Sequence, residues 1–140
     1  MSKAAVVYWS GTGNTELMAN AVLEGARTAG AEAALFNAGE FDSSMIDSYD
    51  AIAFGCPAMG AEQLEDFEFE PMFSSCKPGL KGKKIALFGS YGWGDGEWMR
   101  NWEDECRGCG AELAYRSLIC GGAPEGDGLE ECKALGRALV

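Results

Sequence analysis

Two rhythms of apolar and polar positions alternate along this chain. Short apolar runs bounded by turn-forming residues sit at Val6–Trp9, at Asp50–Gly55 (DAIAFG) and at Lys84–Ser90 (KIALFGS). Unbroken runs of this length are expected of strands covered on both faces. Ala31–Phe36 and Tyr115–Cys120 predict two more strands. Between them the period lengthens. Leu17, Met18, Ala21, Val22, Gly25, Ala26 and Ala29 share one helical face after Thr15, and Gly30 closes that helix. Further helices are expected from Leu64 to Cys76 with an interruption at Pro71, from about Gly96 to Gly108, and over Leu129–Leu139. Strands alternating with helices call for a parallel α/β sheet with right-handed crossovers. No internal repeat, linker or low-complexity tract divides the 140 residues, so one doubly wound domain over 1–140 is expected.

The first loop carries the most specific chemistry. Ser10-Gly11-Thr12-Gly13-Asn14-Thr15 follows the first strand without a single charge. In a doubly wound sheet, ligands sit beyond the carboxyl ends of the strands, where this loop opens the first helix. Its backbone N–H groups, the hydroxyls of Ser10, Thr12 and Thr15 and the Asn14 amide can converge on one anion. The helix N-terminus adds about half a positive charge. Gly11 and Gly13 let the chain turn tightly. A Walker A loop would need a lysine, and none is present. A dinucleotide fingerprint would need a third glycine where this chain has Glu16, and an acidic residue where the second strand ends in Phe36-Asn37. The loop therefore suits a terminal monophosphate held by neutral donors.

Two more loops emerge at the same end: CPAMGAEQLED after the third strand and GSYGWGDGEW after the fourth. Met59 and Gly60 in the first, and Tyr91 and Trp93 in the second, lie on turns with little core to fill. Flanking a phosphate site, they suit a planar ring sandwiched between side chains.

Composition narrows the picture further. The net charge of −11 argues against nucleic acid and anionic membranes as partners, and favours basic protein surfaces. No apolar run approaches the length of a membrane span. The run Ala4–Trp9 is too short for a secretory signal, so a soluble cytoplasmic protein is expected. The absence of histidine excludes Ser-His-Asp triads, imidazole proton relays and histidine metal ligands. Six cysteines in no framework spacing suit a reducing compartment. Cys106 and Cys109 have C-x-x-C spacing, but no second pair completes a zinc site. Their helix is expected to carry them to the face opposite the loops. Cys56 reads as a small buried hydrophobe, and Trp98 and Trp102 as packing against the sheet.

Taken together, YWSGTGNTE, GCPAMG with LED, and LFGSYGWGDGEWM resemble the phosphate loop and two flavin loops of the flavodoxins, in order and spacing. The resemblance is to the short-chain kind of anaerobic bacteria such as clostridia, and it covers essentially the whole chain. It implies a five-stranded parallel sheet of order 2-1-3-4-5, FMN as cofactor, and a low-potential one-electron carrier cycling between semiquinone and hydroquinone. It also implies residue roles. Ser10, Thr12, Asn14 and Thr15, with Gly11 and Gly13, hold the phosphate. Trp93 stacks on the outer flavin face and Met59, beside Pro57 and Ala58, covers the inner one. The Gly92 N–H serves the N1/O2 edge with Ser90 and Tyr91 nearby, and Glu62 accepts from N3–H.

The Gly60 peptide supplies a switch, its carbonyl turning toward N5–H on one-electron reduction. A hydrogen bond worth ~1 kcal/mol moves a one-electron potential by roughly 40–50 mV. Ala61 completes the flipping peptide; a residue with a Cβ is less favourable than glycine there if φ is positive. Glu62, Glu65, Asp66, Glu68 and Glu70, with Asp95, Glu97, Glu125 and Asp127, are expected to form an acidic rim. Each carboxylate ~10 Å from an anionic flavin costs about 0.4 kcal/mol before screening, so the rim lowers the second potential.

The chain departs from the family pattern at Pro57, where a hydroxyl residue is common, and at Gly121 and Gly122, where polar residues are. The expected partners are ferredoxin-linked oxidoreductases or reductases with basic docking surfaces, met by a monomer. The alternative, a flavodoxin-like NAD(P)H:quinone oxidoreductase, needs a nicotinamide site for which no insertion is evident. A receiver domain is excluded because Gly55-Cys56-Pro57 stands where its aspartate would close the third strand.

Overall fold

The computed structural model describes residues 2–11, 13–59, 63–92 and 94–140. Six parallel strands build its sheet: β1 (Lys3–Tyr8), β2 (Glu32–Asn37), β3 (Ala51–Gly55), β4 (Lys84–Tyr91), β5 (Glu112–Leu113) and β6 (Leu118–Gly121). The spatial order is β2-β1-β3-β4-β5, and β6 also pairs with β4. Four α-helices connect them: α1 (Asn14–Thr28), α2 (Phe69–Cys76), α3 (Glu97–Gly108) and α4 (Asp127–Ala138). This is a doubly wound α/β architecture with helices on both faces, in the strand order that the resemblance implies.

Each central strand divides its side chains between two cores. Ala5, Val7, Ile52, Phe54, Ile85 and Leu87 face one layer, where Met72 and Phe73 of α2 and Trp98 and Trp102 of α3 pack. Ala4, Val6, Ala51, Ala53 and Ala86 face the other, against α1 and α4. Alanine at four of those five positions leaves room for the two helices to lie close to the sheet. Those helices also lie close to each other. A Cβ on Gly136 would stand 2.0 Å from the Val22 carbonyl oxygen, and one on Gly25 would stand 2.0 Å from that of Lys133. Glycine is required at both positions because the opposing atoms are backbone. The contact fixes α1, and with it the loop that opens α1.

The structure corrects several boundaries. The fifth strand position is split: β5 pairs with Lys84 and Ile85, β6 pairs with Phe88 through Tyr91, and residues 114–117 lie between them. Arg116 and Ser117 find partners away from the sheet, at Glu131 (3.0 Å) and Glu103 (2.7 Å). The second helix starts at Phe69 rather than Leu64, and Pro71 does not interrupt it. Pro71 is its third residue, where a missing N–H leaves no intrahelical bond unmade. Leu17 on α1 and Ala29 just beyond its end are exposed, while Ala19 and Leu23 are buried with the predicted face. β1 starts at Lys3 and ends at Tyr8, leaving Trp9 to the loop.

Candidate functional site

The carboxyl ends of β1, β3 and β4 meet at one cleft of about 220 Å³, lined by Trp9, Gly11, Asn14, Pro57, Ala58, Met59, Ser90, Tyr91 and Gly92. None of these side chains is charged. The structure thus brings together nine residues from all three loops, eight of them singled out from the sequence. Thr12, Gly60, Ala61, Glu62 and Trp93 lie outside the described residues.

Backbone bonds join the three loops. The Trp9 N–H donates to the Gly55 carbonyl (3.0 Å), the Cys56 N–H to that of Phe88 (3.1 Å) and the Ala58 N–H to that of Ser90 (3.0 Å). Met59 and Gln63 exchange two backbone bonds, of 2.9 and 3.0 Å, closing the base of their loop. Beneath them the buried Trp98 donates its indole N–H to the Cys56 carbonyl (3.2 Å) and packs against Tyr91, ring centroids 5.8 Å apart. A Cβ at Gly89 would stand 2.1 Å from the Cys56 carbonyl oxygen, so only glycine admits this close approach.

At the helix end, the Ser10 hydroxyl oxygen accepts from the Gly13 N–H (3.0 Å) and the Glu16 N–H (3.3 Å). Gly13 takes a left-handed conformation with φ 97°, which a side chain would strain. The N–H groups of Asn14 and Thr15 have no acceptor among the described residues. Two unanswered donors at a helix N-terminus form an anion cradle. Glu16, the acid nearest this cradle in sequence, accepts from the Tyr8 hydroxyl (2.9 Å). Partial burial, then the Glu16 carboxylate, pushes the Tyr8 phenol up from its ordinary pKa.

Thr15 and Ser90 are both buried, with their hydroxyl oxygens 2.8 Å apart, and the Ser90 N–H reaches the Thr15 hydroxyl at 3.3 Å. Ser90 therefore links the helix cradle to the loop at Ala58. The sequence pointed to both residues as ligand contacts and missed their bond to each other, because nothing local joins positions 75 apart. Trp9 was missed as a wall of the cleft. Its place immediately before Ser10 was the available signal, hidden by its assignment to the strand.

Glu65 departs from the acidic rim expected of the sequence: it is 5% exposed and caps the turn into α2. Its carboxylate accepts from the N–H groups of Phe67 (2.9 Å), Glu68 (2.8 Å) and Phe69 (2.9 Å). Burial alone would raise its pKa; the three donors outweigh that and hold the carboxyl below its ordinary value. Asp66, Glu68 and Glu70 are exposed. Among the cysteines, Cys56 and Cys106 are fully buried, and burial pushes each thiol up to about 12. Cys106 and Cys109 sit at the far end of α3, where the Ala111 N–H bonds to Cys106 and Glu112 reaches the start of β4. No cluster of metal-ligating side chains exists among the described residues, and no helix there is long and apolar enough to cross a membrane.

A cleft whose described lining is uncharged, at the switch point of a doubly wound sheet and with helix N–H donors at one end, fits a nucleotide-type cofactor. The comparisons with known proteins resolve which class. The family model described as flavodoxin matches residues 6–136. A flavodoxin of Megasphaera elsdenii is 46% identical over 96% of each chain, and one of Clostridium beijerinckii is 40% identical over 96% of this chain and 97% of its own. The solution structure of the two-electron-reduced M. elsdenii flavodoxin superposes with a TM-score of 0.90 over 97% of each chain at 46% identity. A flavodoxin from the domain Archaea gives 0.87 at 28% identity, over 98% of this chain and 95% of that one. The chain belongs to the flavodoxin family, whose members carry electrons on FMN.

Proposed function

We propose that this protein is a low-potential one-electron carrier that holds FMN without a covalent bond. The observation carrying the proposal is the cleft: three loops converge on a largely apolar surface whose described side chains carry no charge, and helix N–H groups without an acceptor among the described residues stand at one end of it. That arrangement fits the cofactor, since a phosphate needs donors without a competing carboxylate and a flat ring needs apolar walls. Ser10, Thr12, Asn14 and Thr15, with the backbone of Gly11 and Gly13, hold the phosphate. Met59, beside Pro57 and Ala58, and Trp93 cover the two faces of the ring; Tyr91 adjoins Trp93. Gly92 donates its N–H at the N1/O2 edge beside Ser90, and Glu62 accepts from N3–H. FMN, when bound, supplies the redox chemistry; the protein orients the ring, limits water and sets the potentials.

The finer part of the reading concerns N5. The peptide at Gly60 offers its carbonyl to the N5–H present once the flavin has taken one electron, which favours one-electron over two-electron exchange. The working couple then lies between the one- and two-electron-reduced forms. Partners are ferredoxin-linked oxidoreductases or reductases presenting basic surfaces to the acidic rim. The protein acts as a cytoplasmic monomer of one domain. An anaerobic reductive titration followed by visible absorption tests this. A long-wavelength band that rises at the first electron and bleaches at the second supports the reading; direct bleaching refutes one-electron cycling. Oxidation of NADH by the protein alone would refute the carrier role.

A further inference from the structure

Among the described residues, the exposed large hydrophobic side chains are Leu17, Phe67, Ile119 and Val140, and Phe67 stands apart at 87% exposure. A lone exposed apolar side chain needs no explanation, but this one is held in an unusual way. Its own N–H is bonded to the buried Glu65 carboxylate, as are those of the next two residues, Glu68 and Phe69. Phe69 is fully buried and anchors the turn from below. Glu68 is tied in turn to the site, accepting at 3.4 Å from the indole N–H of Trp9, a wall of the cleft. The ring is therefore presented on a stiff support at the rim of the cleft, with the exposed carboxylates of Asp66, Glu68 and Glu70 around it.

Beside this turn runs a groove of about 380 Å³ whose walls include Leu64, Asp66, Glu70, Trp98 and Trp102. Its walls mix polar and apolar groups, with Trp98 and Trp102 almost wholly buried behind them, and the carboxylates of Asp66 and Glu70 suit the cationic head of a lysine or arginine. We propose, resting on the electron-carrier reading, that Phe67 is the anchor by which ferredoxin-linked oxidoreductases dock. The partner surface has an apolar socket for the Phe67 ring, bordered by a lysine or arginine that enters the groove between the turn and α3. The occupant is argued from charge complementarity, since Asp66 and Glu70 line the groove of a chain whose net charge is −11. Preorganisation strengthens the case: the backbone that carries the ring is already fixed by Glu65, so docking has only the side-chain torsions of Phe67 left to order.

The test uses the FMN-loaded protein and purified pyruvate:ferredoxin oxidoreductase from an anaerobic bacterium as electron donor, with ferricyanide as a small-molecule oxidant for control. Phe67→Ser is expected to raise the KM for this protein about tenfold. Its kcat, flavin spectrum, potentials and ferricyanide rate should match the wild type, because Phe67 supports nothing in the fold. Phe67→Leu should recover most of the loss, and Asp66→Asn with Glu70→Gln should flatten the salt dependence of KM. A Phe67→Ser KM within twofold of wild type overturns the anchor while leaving the carrier role intact. A wild-type protein that accepts no electrons from the enzyme overturns the carrier reading, and the anchor with it.

Discussion

Replacing Glu65 by glutamine removes one charge and changes almost nothing in shape, so the consequence can be worked from the bonds. One carboxylate oxygen accepts from Glu68 and Phe69, and the other from Phe67. Glutamine keeps a carbonyl oxygen for the first pair but turns an NH2 group toward the Phe67 N–H, donor against donor. It also removes the charge that strengthens all three bonds and complements the helix N-terminus. The expected loss is about 2 kcal/mol, in the range of a charge-assisted hydrogen bond. For a chain of this size that lowers Tm by roughly 5–8 °C. The pH dependence carries a separate signature. The folded-state pKa lies below the unfolded value, so this stabilisation is fully present above the unfolded pKa, near 4.3. It is lost as pH falls through the folded pKa. Urea midpoints between pH 7 and pH 3 should therefore fall more steeply in the wild type than in Glu65→Gln, and the two curves should converge at the acid end. A variant within ~0.5 kcal/mol of wild type at pH 7, with a parallel acid limb, would refute the assignment of Glu65 as the cap of α2.

Four further outcomes follow from the packing. Gly136→Ala forces a Cβ to 2.0 Å from the Val22 carbonyl oxygen, and urea unfolding should show a loss above about 2 kcal/mol. By contrast, Gly108→Ala meets no atom within 4 Å and should be neutral or slightly stabilising. Thr15→Val keeps the shape but leaves the buried Ser90 hydroxyl and N–H without their partner. Fluorescence titration of the apoprotein should show FMN affinity falling about tenfold or more; unchanged affinity would remove the Thr15–Ser90 link from the site. Burial pushes the thiols of Cys56, Cys106 and Cys132 up to about 12, so a disulfide reagent at pH 8 should modify only the part-exposed Cys109 and Cys120 quickly. Rapid modification of a third thiol would show that one of the buried sites opens readily.

The sheet was legible in the sequence because its central strands are apolar on both faces; so was the first loop at its carboxyl end, where charge vanishes, and the other two through methionine and aromatic residues on glycine-containing turns. What escaped was set by contacts distant along the chain. Glu65 reads as one carboxylate in an acidic run, and only the turn that brings Phe67, Glu68 and Phe69 back over it makes it a buried cap. The same cap moved the start of α2 to Phe69, which a helical apolar period beginning at Leu64 cannot show. The fifth strand appeared as one run because Tyr115 is a good strand former. Its break depends on Glu103 and Glu131, acids on α3 and α4 that draw Ser117 and Arg116 off the sheet. Leu17 was placed in the core by period alone; one turn into α1 it faces solvent.

The charge that matters to the cofactor is not the net charge. Lys77, Lys81, Lys83 and Lys84 hold four of the eleven cationic side chains within eight residues, and they flank the start of β4. The cleft lies at the other end of that eight-residue strand, about 23 Å away at ~3.3 Å per residue. The Debye length at physiological salt is about 8 Å, so these lysines are nearly invisible at the cleft, while Asp66, Glu68 and Glu70 on the neighbouring turn are not. The two groups consequently act on different quantities. Removing rim carboxylates should change the potentials and the docking together, whereas neutralising Lys81 should change only the orientation of encounter. On the proposed carrier role, partner recognition and redox tuning would then be carried by the same acids, and the lysines at the opposite pole would turn that shared rim toward a basic partner before contact.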